Sequence, residues 1–141
     1  MKHQHFDVET AGFYGAYWAC AGGSDCAVIA MIGDDPEDWL ARSAVKWLCG
    51  RGVNVLTMSP AKKDYGHHNY PLERIEAAIS WLKANGNHKI GIAGASTTGT
   101  LALTAAAMFP DVTLTIAMTP SDFVWQGFMQ GKRDGCKEWP V

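Results

Sequence analysis

Ser96 is the residue of this 141-residue chain whose type and setting best suit covalent chemistry. It lies within residues 94–99, of sequence GASTTG, between a short apolar segment and an alanine-rich one. A serine in a sharp strand-to-helix turn is typical of a nucleophile elbow, where the backbone holds the hydroxyl above the end of a sheet. Gly94 and Ala95 are small enough for the close backbone approach that such a turn requires. The pattern therefore predicts that Ser96 is a nucleophile.

A nucleophilic serine also needs hydrogen-bond donors for the negative charge that develops on the attacked carbonyl oxygen. The Thr97 N–H, at the start of the predicted helix, is placed for this role. A second N–H is expected from the loop after the first buried strand, where Gly33 and Asp34 are both candidates. Asp34 and Asp35 also bring negative charge to this loop, which disfavours a strongly anionic acyl group.

The turn departs from the G-x-S-x-G pattern, because Thr98 stands where the second glycine belongs and Gly99 follows it. Three other interpretations therefore stay open. Gly94 and Gly99 have the glycine spacing of a P-loop, but position 100 is threonine rather than the lysine that binds phosphate. A Ser/Thr-rich loop after a parallel strand also suits the phosphate of a flavin nucleotide in a flavodoxin-like domain. Alternatively, Ser96 caps the helix and the turn is purely structural.

Four apolar runs predict strands, and the first two of them are typical of strands buried on both faces of a sheet. They are residues 27–32, 53–58, 89–93 and 113–118. Helical patterns fill the intervals between them: one is predicted to begin at Asp35 and Pro36 and to stop at Gly50, the next opens at Pro71, and the last covers residues 97–109. Before the first run, aromatic-rich segments at residues 5–10 and 13–21 indicate an antiparallel strand pair.

Strand–helix alternation with short connections predicts an α/β fold with a mostly parallel sheet and right-handed crossovers. In such sheets ligands bind at the carboxyl ends of the strands. The loops expected at that edge are residues 33–34, 59–70, 94–99 and 119–125. The second of these loops contains His67 and His68, which are the histidines that this fold can bring toward Ser96. All five histidines are otherwise expected in solvated tail or loop positions: His3, His5, His67, His68 and His88.

Length and composition exclude several classes of protein. With 48% hydrophobic residues, the 141-residue chain can form one domain with a sizeable core. The net charge is −2 and Lys/Arg runs are limited to residues 62–63 and 132–133, so no nucleic-acid partner is predicted. The N-terminus has no apolar signal segment, and the uncharged residues 91–110 suit a buried strand and helix better than a membrane span. We therefore expect a cytoplasmic protein with no membrane partner.

Cysteines and tryptophans are expected in structural rather than chemical roles. The cysteines show neither C-x-x-C nor metal-finger spacing, so we expect reduced thiols and predict no metal site and no cofactor. They are Cys20, Cys26, Cys49 and Cys136. Three tryptophans in predicted helices are expected to pack against the sheet: Trp39, Trp47 and Trp81.

Three segments resemble one protein family, in order and at compatible spacing. They are residues 70–82 (YPLERIEAAISWL), 90–96 (IGIAGAS) and 119–127 (TPSDFVWQG). From about residue 27 to 127 the chain thus resembles the C-terminal catalytic domain shared by acyl-CoA thioesterases and bile acid-CoA:amino acid N-acyltransferases, which is close to dienelactone hydrolases. The resemblance implies an α/β-hydrolase fold and an acyl-thioester site in which Ser96 is the nucleophile of a Ser-His-acid cycle.

Members of that family carry their catalytic acid and histidine on later strands, whereas this sequence stops at Val141, before such strands. The resemblance therefore implies that residues 1–141 are a single, incomplete domain with the nucleophile half only. His67 or His68 would serve as the base only by an unorthodox substitution, and we expect the chain alone to hydrolyse acyl thioesters no faster than background. Water and an amine both stay open as acceptors, as does a non-catalytic interaction module of the same fold.

The strand predicted at residues 113–118 would pair on its outer side with a strand that this sequence does not contain. The segment is apolar, uncharged and free of proline, which makes an open edge prone to self-association. We therefore expect a homo-oligomer whose contact lies at or near residues 113–125.

Overall fold

Six strands and four helices follow one another in the residues that the computed structural model describes, which are 3–59 and 69–123. The strands are β1 (His3–Phe6), β2 (Gly15–Trp18), β3 (Cys26–Met31), β4 (Asn54–Met58), β5 (Lys89–Ala95) and β6 (Val112–Met118). The helices are α1 (Val8–Ala11), α2 (Trp39–Cys49), α3 (Glu73–Ala84) and α4 (Thr97–Met108). All four predicted apolar strands are present, as β3 to β6, with each boundary close to its predicted place.

The strands form one sheet in the order β1-β2-β4-β3-β5-β6. β2 pairs antiparallel with β1 and β4, whereas β4, β3, β5 and β6 run parallel to one another. The predicted fold class is confirmed: a mostly parallel α/β sheet with an antiparallel strand pair at the N-terminus. Because Met31 is the register partner of Gly94, the carboxyl ends of β3 and β5 lie side by side and the loops after them meet at one edge.

The N-terminal strand pair is shorter than predicted. Residues 8–11 form the helix α1, so the prediction of an extended segment there is wrong. Asp7 caps this helix, because its carboxylate accepts the Thr10 N–H at 2.8 Å, and Gly12 ends it with φ +79°. A local cap and a left-handed glycine thus outweigh the strand propensity of this short segment.

Helix α2 begins later than predicted. Its N-cap is Asp38, whose Oδ1 accepts the Ala41 N–H at 2.8 Å. Asp35 instead accepts the Glu37 N–H at 2.9 Å, in the turn that precedes the helix. The prediction that Asp35 begins the helix is therefore wrong. Several aspartates close together offer the same capping chemistry, and the backbone of the loop decides which of them is used.

Helices cover both faces of the sheet. On one face, Ile75 of α3 and Ala102 of α4 belong to the same core cluster as Ile29 and Ile92 of the sheet. On the other face, Val45 of α2 packs in a second cluster with residues of β3, β4 and β5. Helix α4 lies close to the sheet because its buried positions hold only small residues: Thr98, Gly99, Thr100, Ala102 and Ala105.

The tryptophans divide between core and surface. Trp81 packs edge-on against Tyr17, with the ring centroids 4.9 Å apart, as expected for a packing role. Trp39 and Trp47 are 73% and 56% exposed, so the same expectation is wrong for these two. Trp47 lies two residues, or about 200°, around α2 from the buried Val45, and the rotation turns its side chain toward solvent.

Candidate active site

Ser96 lies at the tip of a strained turn between β5 and α4. Its backbone angles, φ +55° and ψ −119°, fall in a region that residues with a side chain rarely adopt. The Ser96 N–H donates to the Met118 carbonyl at 2.8 Å, and the Ser96 carbonyl accepts the Thr100 N–H at 3.1 Å, so the turn is held on both sides. Ser96 is exposed and makes no side-chain capping bond to α4. The hydroxyl is therefore not used to cap the helix.

Glycine is required on both sides of this turn. A Cβ at Gly94 would collide with the Thr98 carbonyl, and one at Gly99 would lie 2.9 Å from the Met118 carbonyl. β5, α4 and β6 thus approach one another at points where only a glycine fits. The two glycines that share the spacing of a P-loop serve this backbone packing.

Thr98 occupies the position at which the G-x-S-x-G pattern has glycine, and it is buried. Its Oγ1 lies 2.6 Å from the Met31 carbonyl, to which it donates, and accepts the Ala95 N–H at 3.0 Å. The hydroxyl therefore ties the end of β3 to the end of β5 beside the turn. Threonine is accommodated here because its buried hydroxyl finds both a donor and an acceptor.

The loop after β3 is held in place from two sides. The Asp38 Oδ2 accepts the Asp34 N–H at 2.8 Å and the Asp35 N–H at 3.2 Å. From β4, the Ser59 hydroxyl, one residue beyond the strand, donates to the Gly33 carbonyl at 3.0 Å. Gly33 has φ +97°, and a Cβ there would lie 2.5 Å from both carboxylate oxygens of Asp38. This loop therefore needs glycine at position 33.

An open cleft of about 560 Å³ lies between the two loops. It brings together the predicted site residues Ser96, Thr97, Gly33 and Asp34. The rest of its lining is not singled out by any motif: Met31, Ile32, Leu40, Ala95 and Thr98. Leu40 could have been found from the sequence, because it is an apolar residue in the first turn of the helix that follows the loop. Most of these side chains are apolar, which suits an uncharged acyl group.

Acidic side chains surround the loop at the edge of the cleft. Burial opposes ionisation of Asp38, but hydrogen bonds from the N–H groups of Ala41, Asp34 and Asp35 outweigh it and lower the pKa of this carboxyl below its ordinary value. Burial, together with the charge of Asp35, raises the pKa of Tyr14, whose hydroxyl donates to that carboxylate at 3.3 Å. The cleft edge is therefore negatively charged at neutral pH and disfavours anions.

No histidine lines the cleft among residues 3–59 and 69–123. His3 and His5 of β1 both contact the Glu37 carboxylate, with His5 at 3.0 Å. His88 lies just before β5 and Ser96 just after it, so a strand of roughly 23 Å separates them. The two candidate bases lie outside the described residues: His67 and His68.

Side chains that could hold a metal ion do not cluster in the part of the chain that the structure describes. Within it, no group of three or more His, Cys, Asp or Glu side chains is placed to hold a metal ion. Every helix in those same ranges lacks the length and apolar character that crossing a membrane would need. Three of the cysteines are free thiols there, and Cys136 lies outside the described residues: Cys20, Cys26 and Cys49.

Comparisons with known proteins bear on the fold. No protein-family model matches the chain, and no curated protein matches it. Among solved structures, the chain matches the Pyrococcus furiosus esterase Pf2001 with a TM-score of 0.69 and 21% identity, over 84% of this chain and 50% of that one. It matches the α/β hydrolase GrgF from Penicillium sp. sh18 with a TM-score of 0.68 and 22% identity, over 84% and 45%. It matches Est1E from Butyrivibrio proteoclasticus with a TM-score of 0.62 and 20% identity, over 85% and 51%.

At such low identities these similarities concern the fold, and the chain spans about half the length of the structures it matches. The finer resemblance to acyl-CoA thioesterases and N-acyltransferases stays a prediction. The sheet order, the antiparallel start and the parallel βα units agree with the matched structures. The chain therefore has the fold of the N-terminal half of an α/β hydrolase.

Proposed function

We propose that this chain carries the nucleophile of a serine ester hydrolase, and that the nucleophile is Ser96. The observation that carries the proposal is the strained backbone of Ser96, with φ +55°, at an exposed turn beside a mostly apolar cleft. A side-chain-bearing residue holds such a conformation at a cost of roughly 1–3 kcal/mol, and strain of this kind is concentrated at functional sites. The hydrolase fold, and an esterase among the matched structures, support the same chemistry.

In the proposed reaction a base removes the proton from the Ser96 Oγ, which bonds to the carbonyl carbon of the ester. The carbonyl π electrons move onto the oxygen, where N–H groups at the ends of β3 and β5 stabilise the charge. The Thr97 N–H suits this role, since it makes no hydrogen bond to any residue in 3–59 or 69–123. The bond to the leaving alcohol then breaks, the alcohol takes the proton, and water hydrolyses the acyl-enzyme.

The base and the acid that orients it are proposed to come from polypeptide outside the described residues. The resemblance to thioesterases implies that both lie on strands that follow β6 in the complete fold. The 141-residue chain alone is then expected to hydrolyse esters and thioesters no faster than background. His67 and His68 are the alternative base if the chain alone does turn over substrate in a Ser96-dependent way.

The substrate is proposed to be an uncharged acyl ester, with an acyl-CoA thioester as the finer assignment. Met31, Ile32 and Leu40 supply an apolar lining, while Asp34 and Asp35 disfavour an anionic acyl group. The thioester assignment is supported by the segments before and after the nucleophile, residues 70–82 and 119–127, which resemble those of acyl-CoA thioesterases. Transfer of the acyl group to water gives a hydrolase, and transfer to an amine gives an N-acyltransferase, as both follow from the same acyl-enzyme.

Hydrolysis of p-nitrophenyl butyrate and butyryl-CoA by the full natural product of the gene tests this proposal. Ser96→Ala is expected to lower kcat about a thousandfold or more, because removal of the nucleophile disables the whole catalytic group. Ser80→Ala, at an exposed serine of α3, is the matched control and should retain activity. Turnover that survives Ser96→Ala contradicts the proposal, and the ratio of the two substrates separates ester from thioester preference.

A partner at the open edge of the sheet is also proposed, and the partner is a second copy of the chain. β6 is the last strand in the order of the described sheet, and it exposes Leu114, Ile116 and Met118 by 56%, 40% and 44%. Because β6 holds no charged residue, antiparallel pairing of two copies about Thr115 brings no like charges together. The predicted contact range, residues 113–125, extends two residues beyond the described part of the chain.

A non-catalytic interaction module is the second candidate function, and this open edge is the observation that favours it. This function would be supported if Ile116→Lys abolished self-association and Ser96→Ala had no effect on any activity. The flavin and P-loop interpretations gain no such support, because the turn follows β5, its glycines are engaged in backbone packing, and the matched structures are hydrolases.

A further inference from the structure

We infer that Asp38 is a positioning residue for the oxyanion site: its carboxylate holds the N–H groups of Asp34 and Asp35 and leaves the Gly33 N–H as the donor of this loop. The catalytic meaning of the inference rests on the proposed function of Ser96. Its geometry rests on the hydrogen bonds of the loop alone. The inference selects the Gly33 N–H over the Asp34 N–H as the second oxyanion donor, a choice that the sequence leaves open.

The peptide group between Gly33 and Asp34 is fixed at both ends. Its carbonyl accepts the Ser59 hydroxyl at 3.0 Å, and its N–H donates to the Asp38 Oδ2 at 2.8 Å. Because the C=O and N–H of a trans peptide point in opposite directions, these two bonds define its orientation. Turning the Asp34 N–H toward a substrate would break both. A charge-assisted bond to a carboxylate also already satisfies this donor.

The preceding N–H group is different. The Gly33 N–H makes no hydrogen bond to any residue in the ranges 3–59 and 69–123. Gly33 lines the cleft together with Ser96 and Thr97, and the Thr97 N–H is likewise without a bond in these ranges. Two N–H groups at the ends of neighbouring strands are therefore available to an oxygen on the carbon that Ser96 attacks.

The two carboxylate oxygens of Asp38 have separate partners, so substitution can separate their roles. Oδ1 accepts the Ala41 N–H and caps α2, whereas Oδ2 accepts the Asp34 and Asp35 N–H groups. Asp38→Asn keeps one carbonyl oxygen for the cap and replaces the other with an NH₂ group, which cannot accept. Asp38→Ser keeps a single oxygen, in a residue type that caps helices well. Both variants thus remove the loop bonds and spare the helix.

Amide exchange of the ¹⁵N-labelled 141-residue chain tests the geometry without any need for activity. In the wild-type chain the Asp34 and Asp35 amides are expected to exchange with solvent more slowly than the Gly33 amide. Asp38→Asn and Asp38→Ser should each speed exchange at positions 34 and 35 at least tenfold and leave Ala41 protected. Exchange that is the same in the wild type and both variants would overturn the inference.

Phosphonylation of Ser96 in the catalytically active protein tests the consequence. Asp38→Asn is expected to slow the first-order step of labelling by a fluorophosphonate at least tenfold, with little change in the probe concentration at half-maximal rate. The loosened loop misplaces a donor and leaves the apolar contacts intact. Wild-type labelling rates in both variants, despite faster amide exchange, would overturn the positioning role. Failure of wild-type Ser96 to label at all would instead contradict the proposed function, and the amide exchange would still decide whether Asp38 holds the loop.

Discussion

Backbone crowding around Ser96 decides which residues the turn can hold. A Cβ at Gly94 would meet the Thr98 carbonyl, whereas one at Gly91, in the same strand, would have its nearest neighbours at 3.4 Å. We predict that Gly94→Ala lowers the free energy of unfolding by roughly 1–3 kcal/mol, as overpacking of a filled site does. Gly91→Ala is the matched control and should cost distinctly less. Urea unfolding measures both, and equal losses would show that crowding at the turn is not the cause.

Residue roles that follow from local backbone geometry can be predicted from the sequence, and those set by distant contacts cannot. Gly94 is predictable because a strand-to-helix turn needs a small residue at that distance from Ser96. Thr98 departs from the usual pattern, and the reason is its bond to Met31, 67 positions away in the chain. Asp38 is chosen over its acidic neighbours by a loop whose position depends on a bond from Ser59.

At the scale of elements, burial on both faces is what made β3, β4 and β5 predictable. These strands are mostly apolar and buried along nearly their whole length, as in a sheet covered by helices, whereas β6 is apolar but partly exposed. The short helix α1 gives no comparable signal, because it buries no residue and is held by the Asp7 cap and Gly12. The prediction therefore succeeded for strands whose burial requires an apolar sequence. It failed for α1, where a few local hydrogen bonds decide the secondary structure.

Buried asparagines join several elements at the edge of the sheet opposite the cleft. Asn54, the first residue of β4, accepts the Cys20 N–H at 2.9 Å and donates to the Asn87 Oδ1 at 2.8 Å. We predict that Asn54→Ala lowers the free energy of unfolding by about 1–3 kcal/mol, because it leaves buried polar groups without partners. The control is Ser80→Ala, at an exposed side chain of α3, which should change stability by about 0.5 kcal/mol or less. Thermal and urea unfolding that rank the two variants equally would contradict this role.

At the scale of the whole molecule, the two edges of the described sheet differ. The antiparallel β1 forms one edge, and the apolar strand β6 forms the other. This asymmetry could be predicted, since it follows from strand order and composition. The source of the base for Ser96 could not be located in the same way, because the members of a catalytic triad come from distant parts of a chain and meet only in the folded protein.

The open edge leads to a prediction about assembly. We expect the chain to sediment as a dimer or larger species at micromolar concentration, and Ile116→Lys to shift it toward monomer, because a charge on an edge strand blocks pairing. Trp39→Lys is the control, since Trp39 is even more exposed than Ile116, 73% against 40%, but lies on α2, away from β6. A wild-type monomer at micromolar concentration, or an Ile116→Lys variant that sediments like the wild type, would refute edge pairing.

Covalent labelling tests the identity of the nucleophile most directly. The catalytically active protein is treated with a fluorophosphonate, and peptide mass spectrometry locates the adduct. We predict a single adduct on the Ser96 Oγ, which disappears in Ser96→Ala and is kept in Ser80→Ala. An adduct on another residue, or labelling that persists in Ser96→Ala, would contradict the assignment of Ser96 as the nucleophile.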